Sequence, residues 1–173
     1  MANPCTCGIP GRRGFILGAG AAALTLTLRP FLVRAAGDYE AMILGCIDPR
    51  LQEPMRSFAV THGLIGQYSK FTIAGAAIGV VAPAFEKWHR TFWENLAATI
   101  KLHNIKSVIA IDHRDCGAAK IVFGDASIAT PAVETETHRK VLAEFRGEVG
   151  RRQPQLKVET LLMALDGTFV ALS

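Results

Sequence analysis

Strand-like and helix-like patterns alternate from Asp38 to the end of the chain, and that alternation predicts an α/β fold. The sheet is expected to be mostly parallel, of about four strands plus an antiparallel edge strand, with helices on both faces. Three observations carry this expectation. Apolar runs at Glu40–Ile47 and Ser107–Ile111 each end abruptly in polar residues, as buried parallel strands do. Between them, Phe85, Trp88, Phe92, Leu96 and Ile100 recur at helical spacing. Near the end, Asp166-Gly167 marks a tight turn between two further runs.

Taken in order, Glu40–Ile47 reads as a buried strand that delivers the loop Asp48-Pro49-Arg50 at its C-terminal end. Lys70–Ala77 is a second strand, closed by Gly75 and Gly79. The aromatic stripe predicts a helix over Phe85–His103, with its aromatics as core anchors. Ser107–Ile111 is a third strand, delivering Asp112, His113, Arg114, Asp115 and Cys116. A second helix spans about Val133 to Arg152, opened by Glu134 and Glu136 and closed by Arg151 and Arg152, as the helix dipole prefers. Leu156–Ala164 is a fourth strand, and Thr168–Leu172 pairs back on it as the antiparallel edge. The chain contains no internal repeat and no low-complexity tract.

With 173 residues, half of them hydrophobic and 20% charged, the chain can bury a core and is not a disordered polymer. Its formal excess of +4 is matched by four arginines in the first 36 residues: Arg12, Arg13, Arg29 and Arg34. The remainder therefore has no basic face for a nucleic-acid backbone, and no nucleic-acid partner is expected. Arg12-Arg13 stands directly before the apolar run Gly14–Leu28, which is too short and too rich in Gly, Ala and Thr to span a bilayer comfortably. Small residues around Val33-Arg34-Ala35-Ala36 suit cleavage. This leader resembles a twin-arginine signal, which implies residues 1–36 as signal peptide and 37–173 as the mature domain. It also implies export of the folded protein to the periplasm, with membrane contact only through the signal. Cys5 and Cys7 lie in that leader and receive no role. Four cysteines in two unlike pairs do not form a secreted disulfide framework.

In open parallel sheets ligands bind beyond the C-terminal ends of the strands, where strand order reverses. Two strand ends here carry metal-ligating residue types: Cys46-Ile47-Asp48-Pro49-Arg50 and His113-Arg114-Asp115-Cys116-Gly117. If the strands are neighbours, Cys46, His113 and Cys116 meet. Two thiolates and one imidazole leave a tetrahedral zinc one position short, the mark of a catalytic rather than a structural site. Asp48, two residues from Cys46, points to the same side of an extended segment. It is placed to accept a hydrogen bond from metal-bound water or to take the fourth position itself. Arg50 follows in the matching position to orient the carboxylate. Asp112 and Asp115 are both candidates to hold the far side of the His113 ring. His62, in a loop before Gly63, is a proton shuttle if it faces the cleft. His89, His103 and His138 read as ordinary helix residues.

Cys-x-Asp-x-Arg followed far downstream by His-x-x-Cys-Gly resembles the signature of the β-class carbonic anhydrases, and Ala74-Gly75 resembles the end of that family's Arg-Asn-Ala-Gly turn. The likeness runs loosely from Met42 to the C-terminus. The resemblance implies a β-carbonic-anhydrase-like fold, Zn2+ on Cys46, His113 and Cys116, and an Asp48–Arg50 dyad. It implies reversible hydration of carbon dioxide to bicarbonate by a metal-bound hydroxide which that dyad gates. Asp115, Gly117, Ala74 and Gly75 would then surround the metal or line the substrate pocket, in a homodimer or higher homo-oligomer. Gly37 stands where many members have a substrate-orienting glutamine, and Thr72-Ile73 where they have Arg-Asn. Both departures imply a more apolar pocket, fit for linear uncharged molecules. Hydrolysis of carbonyl sulfide or carbon disulfide is therefore an alternative, and a catalytically silent zinc-stabilised binding module with Asp48 locked on the metal is another.

Overall fold

The computed structural model describes residues 37–172. Residues 1–36, which the sequence reading expects to be an export signal and which include Cys5 and Cys7, lie outside the described residues. In chain order the elements are β1 (Ala41–Gly45), α1 (Gln52–Thr61), β2 (Tyr68–Thr72), α2 (Ala77–Val81), α3 (Glu86–His103), β3 (Ser107–His113), α4 (Gly117–Phe123), α5 (Pro131–Arg152), β4 (Lys157–Met163) and β5 (Phe169–Ala171). The five strands form one sheet in the order β2-β1-β3-β4-β5. The first four are parallel, and β5 runs antiparallel to β4, as the sequence predicts. Among the described residues, no helix is long and apolar enough to cross a membrane.

All five residues of β1 are buried, and β3 is buried from Val108 to His113. Successive side chains of a strand point to opposite faces, so both faces of the central sheet are covered. Phe92 of α3 and Phe145 of α5 are fully buried, with ring centroids 5.7 Å apart. Each contributes about 1.5–3 kcal/mol by leaving water. Helix α5 begins where Thr130 accepts a hydrogen bond from Val133 N at 3.3 Å and Pro131 takes the first turn. Helix α3 ends on Asn104, held in the left-handed region at φ 43°.

Three helices escape the sequence reading. Helix α1 follows Asp48-Pro49-Arg50, which reads as a turn, yet Leu51, Met55, Phe58 and Ala59 are buried at helical spacing. Helices α2 and α4 are short, and only Ala77, the first residue of α2, reads as the end of the preceding strand. That strand also sits differently: β2 is Tyr68–Thr72 rather than Lys70–Ala77. The chain leaves the sheet at Ile73 because Gly75 (φ 76°) and Ala76 (φ 48°) turn it back. A side chain at Gly75 would bring its Cβ within 2.8 Å of Ala118 Cβ and 2.9 Å of Ile78 Cβ, neither of which can move aside.

Strand order reverses between β1 and β3, since β2 lies on one side of β1 and every later strand on the other. In the parallel register Gly45 stands opposite Ile111, so the C-terminal ends of β1 and β3 open side by side. The turn at Gly75 borders that opening. Gly75→Ala is expected to lower stability by about 2–5 kcal/mol, from overpacking and left-handed strain together, read as the shift of a urea unfolding midpoint. A midpoint within experimental error of wild type would contradict this packing.

Candidate metal centre

Cys46 directly follows β1, His113 ends β3, and Cys116 precedes the first residue of α4. All three are buried, at 8%, 0% and 1% exposure. Their ligand atoms lie within 4.8 Å of one another. The parallel pairing of β1 with β3 supplies Cys46 and His113. Asp115, in the left-handed region at φ 55°, turns the intervening loop back so that Cys116 joins them.

The donors fit a metal. The Nδ1–H of His113 donates to Arg114 O at 2.8 Å, which leaves Nε2 as the free lone pair. That Nε2 is buried and has no hydrogen-bond partner among the described residues. A ligating imidazole has this arrangement, its far nitrogen held by an acceptor. Cys46 Sγ accepts from the Gly75 amide at 3.2 Å. The hydrogen bond from Cys116 pulls the Cys46 thiol well down, against its burial and with help from His113 and the Gly75 amide. Cys116, the donor of that bond and itself buried, is pushed up. Burial pushes His113 down, but contact with the Cys46 sulfur outweighs it and raises the ring overall. The Cys46 sulfur thus holds negative charge where a dication would sit.

Around these donors runs an ionic frame. Asp48 Oδ1 accepts from Arg50 N at 2.9 Å and from Nε at 3.0 Å, and Oδ2 accepts from Nη2 at 2.7 Å. The Arg50 contact holds the Asp48 carboxyl down at about 2, so it is ionised across the neutral range. Arg50 also reaches the other loop, Nη1 to Asp115 Oδ2 at 2.9 Å and Nη2 to Asp115 O at 3.2 Å. Lys120 donates to Asp115 Oδ1 at 2.8 Å, and with Arg50 it holds that carboxyl at about 2. One guanidinium therefore ties together the loops after β1 and β3.

Other residues fall less as the sequence suggests. Neither Asp112 nor Asp115 holds the His113 ring, because Arg114 O does. Asp112 precedes His113 on the strand and so faces the other side of the sheet. Asp115 spends both oxygens on Arg50 and Lys120. Gly75 lies at the site through its amide, whereas the space beside Gly117 is open, with nothing within 4 Å of where a Cβ would be. The ring of His62 is stacked on Phe58 at 4.0 Å, its Nδ1 bonded to Phe58 O, and it does not line the cavity at Cys46 and Asp48. His89 bonds Ala82 O, and His103 bonds Ser69 of β2. His138 is more than an ordinary helix residue: it is fully buried and bonds Asp112 at 2.8 Å. Glu134, also buried, accepts from Asp115 N at 2.5 Å and from Arg114 Nη1 at 3.0 Å. Sequence reading treats Glu134 only as a dipole-matching acid, although Glu134, His138, Val141 and Phe145 trace one helical stripe.

Two cavities flank Ile47. One of about 500 Å³ reaches Cys46 and Asp48 and has polar walls, including Gln52, Arg56, Tyr68 and Lys70. The other, about 360 Å³, is apolar and lined by Ile47, Phe71, Ile73, Ala74 and Trp88. The more apolar pocket expected from Gly37 and Thr72-Ile73 thus has its apolar walls on one side of Ile47 and polar walls on the other.

The chain is 32% identical over 135 residues to an uncharacterized protein of Rickettsia bellii (strain RML369-C), across 78% of this chain and 82% of that one. It is 31% identical over 135 residues to an uncharacterized protein of Rickettsia conorii, across 78% and 73%. The chain belongs to the family of these rickettsial proteins. No family model matches it. Among solved structures it is similar to a β-carbonic anhydrase of Aspergillus fumigatus, CafA, at 18% identity and a TM-score of 0.48, across 79% of this chain and 76% of that one. A tetrameric β-carbonic anhydrase of Sordaria macrospora is similar at 15% identity and 0.49, across 80% and 82%. What the pocket can do follows from its own donors.

Three buried donors around one point are expected to bind one divalent transition metal per chain. Cys46→Ser, His113→Ala and Cys116→Ser should each weaken that binding by about 100-fold or more and lower the melting temperature of the metal-loaded protein. Metal content of the purified variants and calorimetric titration check this. Stoichiometric metal retained in all three variants would place the ion elsewhere.

Proposed function

We propose that the chain is a zinc enzyme that reversibly hydrates carbon dioxide. The observation that carries this reading is the donor set itself. Two cysteines and one histidine converge in a buried pocket, and the Asp48 carboxylate two residues from Cys46 is bonded to Arg50. Three protein ligands of this type leave a fourth position open, the arrangement of catalytic zinc. When bound there, zinc supplies Lewis-acid activation of water near neutral pH and stabilises developing negative charge.

The chain's own residues do the rest. Asp48, ionised and fixed by Arg50, presents an acceptor at the mouth of the pocket, where it orients the attacking water and accepts its hydrogen bond. Arg50 holds that carboxylate away from the metal, and Asp115 with Lys120 holds Arg50. The apolar cavity at Ile47, Ile73 and Trp88 suits a linear uncharged substrate, and the polar cavity at Cys46 and Asp48 suits a departing anion. Release of Asp48 from Arg50 would close the site, which makes the pair a gate. In this reading the protein works in the periplasm as a homodimer or higher homo-oligomer, delivered folded by the Arg12-Arg13 leader.

One observation favours a second reading. Ile73 and Ala74 give the apolar cavity no polar donor from the turn, which suits carbonyl sulfide or carbon disulfide as well as carbon dioxide. A silent module with Asp48 locked on the metal is less favoured, because Arg50 occupies that carboxylate.

Stopped-flow hydration by the zinc-loaded protein tests the reading, with Asp48→Ala and Arg50→Ala alongside. The expected outcome is hydration by wild type and a fall of about 100-fold in kcat/KM in both variants with zinc content unchanged. Full zinc occupancy without hydration would contradict it. Hydrogen sulfide release from carbonyl sulfide far exceeding hydration would move the assignment to the second reading.

A further inference from the structure

Helix α5 meets the pocket at two residues one turn apart. Glu134 holds the loop between His113 and Cys116, and its role is plain from its contacts. His138 makes no hydrogen bond to Cys46, His113 or Cys116, yet it is fully buried; its Nδ1–H donates to Asp112 Oδ2 at 2.8 Å, and its Nε2 has no partner among the described residues. Asp112 is 1% exposed, and its other oxygen accepts from Ala77 N at 3.0 Å. A carboxylate and an imidazole this deep are costly to bury, and they persist only where their partners are fixed.

What they fix is a strained turn. Ala76 lies at φ 48° and ψ −109°, a region that L residues avoid at a cost of about 1–3 kcal/mol. Such strain survives where flanking interactions over-determine it. Ala77 N is bonded to Asp112 on one side of Ala76, and on the other Gly75 N is bonded to Cys46 Sγ at 3.2 Å. A continuous line of hydrogen bonds and backbone therefore runs from His138 through Asp112 and the 75–77 turn to a ligand sulfur.

We propose that His138 is a positioning residue for the metal centre: through Asp112 it clamps the Gly75–Ala77 turn so that the Gly75 N–H is aimed at Cys46 and fixes the direction of that sulfur. This rests on the zinc reading of the pocket. Neither His138 nor Asp112 touches the metal or substrate. Their effect travels through one backbone amide, as outer partners of metal ligands act through the groups they orient.

The test uses the full chain with three variants. His138→Leu removes the donor. His138→Asn returns an N–H near the position of Nδ1. Asp112→Asn keeps the shape but leaves one acceptor for two donors. Zinc affinity is read by chelator competition, the cobalt-substituted protein by its thiolate charge-transfer band, and the metal-free protein by amide exchange at Gly75 and Ala77 against Ile109. His138→Leu and Asp112→Asn should each weaken zinc by about 10-fold or more, shift the cobalt band, and speed exchange at Gly75 and Ala77 beyond any change at Ile109. His138→Asn should restore all three. Lower melting temperature with unchanged affinity, band and relative exchange would overturn the proposal, as would His138→Asn behaving like His138→Leu. Wild-type protein that binds neither zinc nor cobalt would sink the zinc reading instead, while amide exchange in the metal-free proteins still decides the clamp.

Discussion

Strand β1 hydrogen-bonds to β3 in parallel, Gly45 opposite Ile111, and the chemistry of the molecule hangs on that pairing. Parallel strands end at the same edge of the sheet, so residues just beyond β1 and at the end of β3 are brought together without any dedicated loop. The reversal of strand order keeps the edge open there, because the chain departs in opposite directions on its two sides. A slip of one residue between these strands would turn His113 to the opposite face and put Asp112 in its place. Complete burial of β1 and near-complete burial of β3 make such a slip costly, and so secure the site's geometry.

Once the strand ends are fixed, charge organises the rest. Two buried sulfurs and a buried imidazole favour a cation. Two exposed-side carboxylates, Asp48 and Asp115, are each neutralised by a basic partner rather than turned inward. Arg50 is central because its fork reaches both loops, an arrangement that a lysine's single ammonium cannot copy. Behind the loops, α5 supplies Glu134 and His138 at four-residue spacing. The same helix face thus supports the ligand-bearing loop directly and the Gly75 turn through Asp112. The pocket is braced from the solvent side by ion pairs and from the core side by buried hydrogen bonds.

How much of this was legible in the sequence depended on whether local pattern or tertiary placement decides each residue. Cys46, His113 and Cys116 could be read because ligand residue types stood at the ends of two apolar runs, and strand ends converge by topology. The antiparallel edge was legible from Asp166-Gly167. Helix α1 was not, because Asp48-Pro49-Arg50 looks like turn chemistry, whereas the structure continues past it into a helix that carries Pro54 in its first turn, where Pro is tolerated. Between Asp112 and Asp115 the sequence offered no choice, and both proved to be committed elsewhere. A backbone carbonyl took the His113 Nδ1–H, and no side-chain pattern reports a carbonyl. His138 looked like an ordinary helix residue because periodicity shows that a stripe exists without showing what packs on it. The turn at Gly75-Ala76 broke the second strand early through backbone angles that Ala76 does not advertise.

The most direct test of the account is X-ray absorption at the zinc edge of the wild-type, metal-loaded protein. Two sulfur neighbours at about 2.3 Å with nitrogen or oxygen at about 2.0–2.1 Å would agree with a centre built on Cys46, Cys116 and His113 and left open at one position. A shell of nitrogen and oxygen alone, or of four sulfurs, would contradict it.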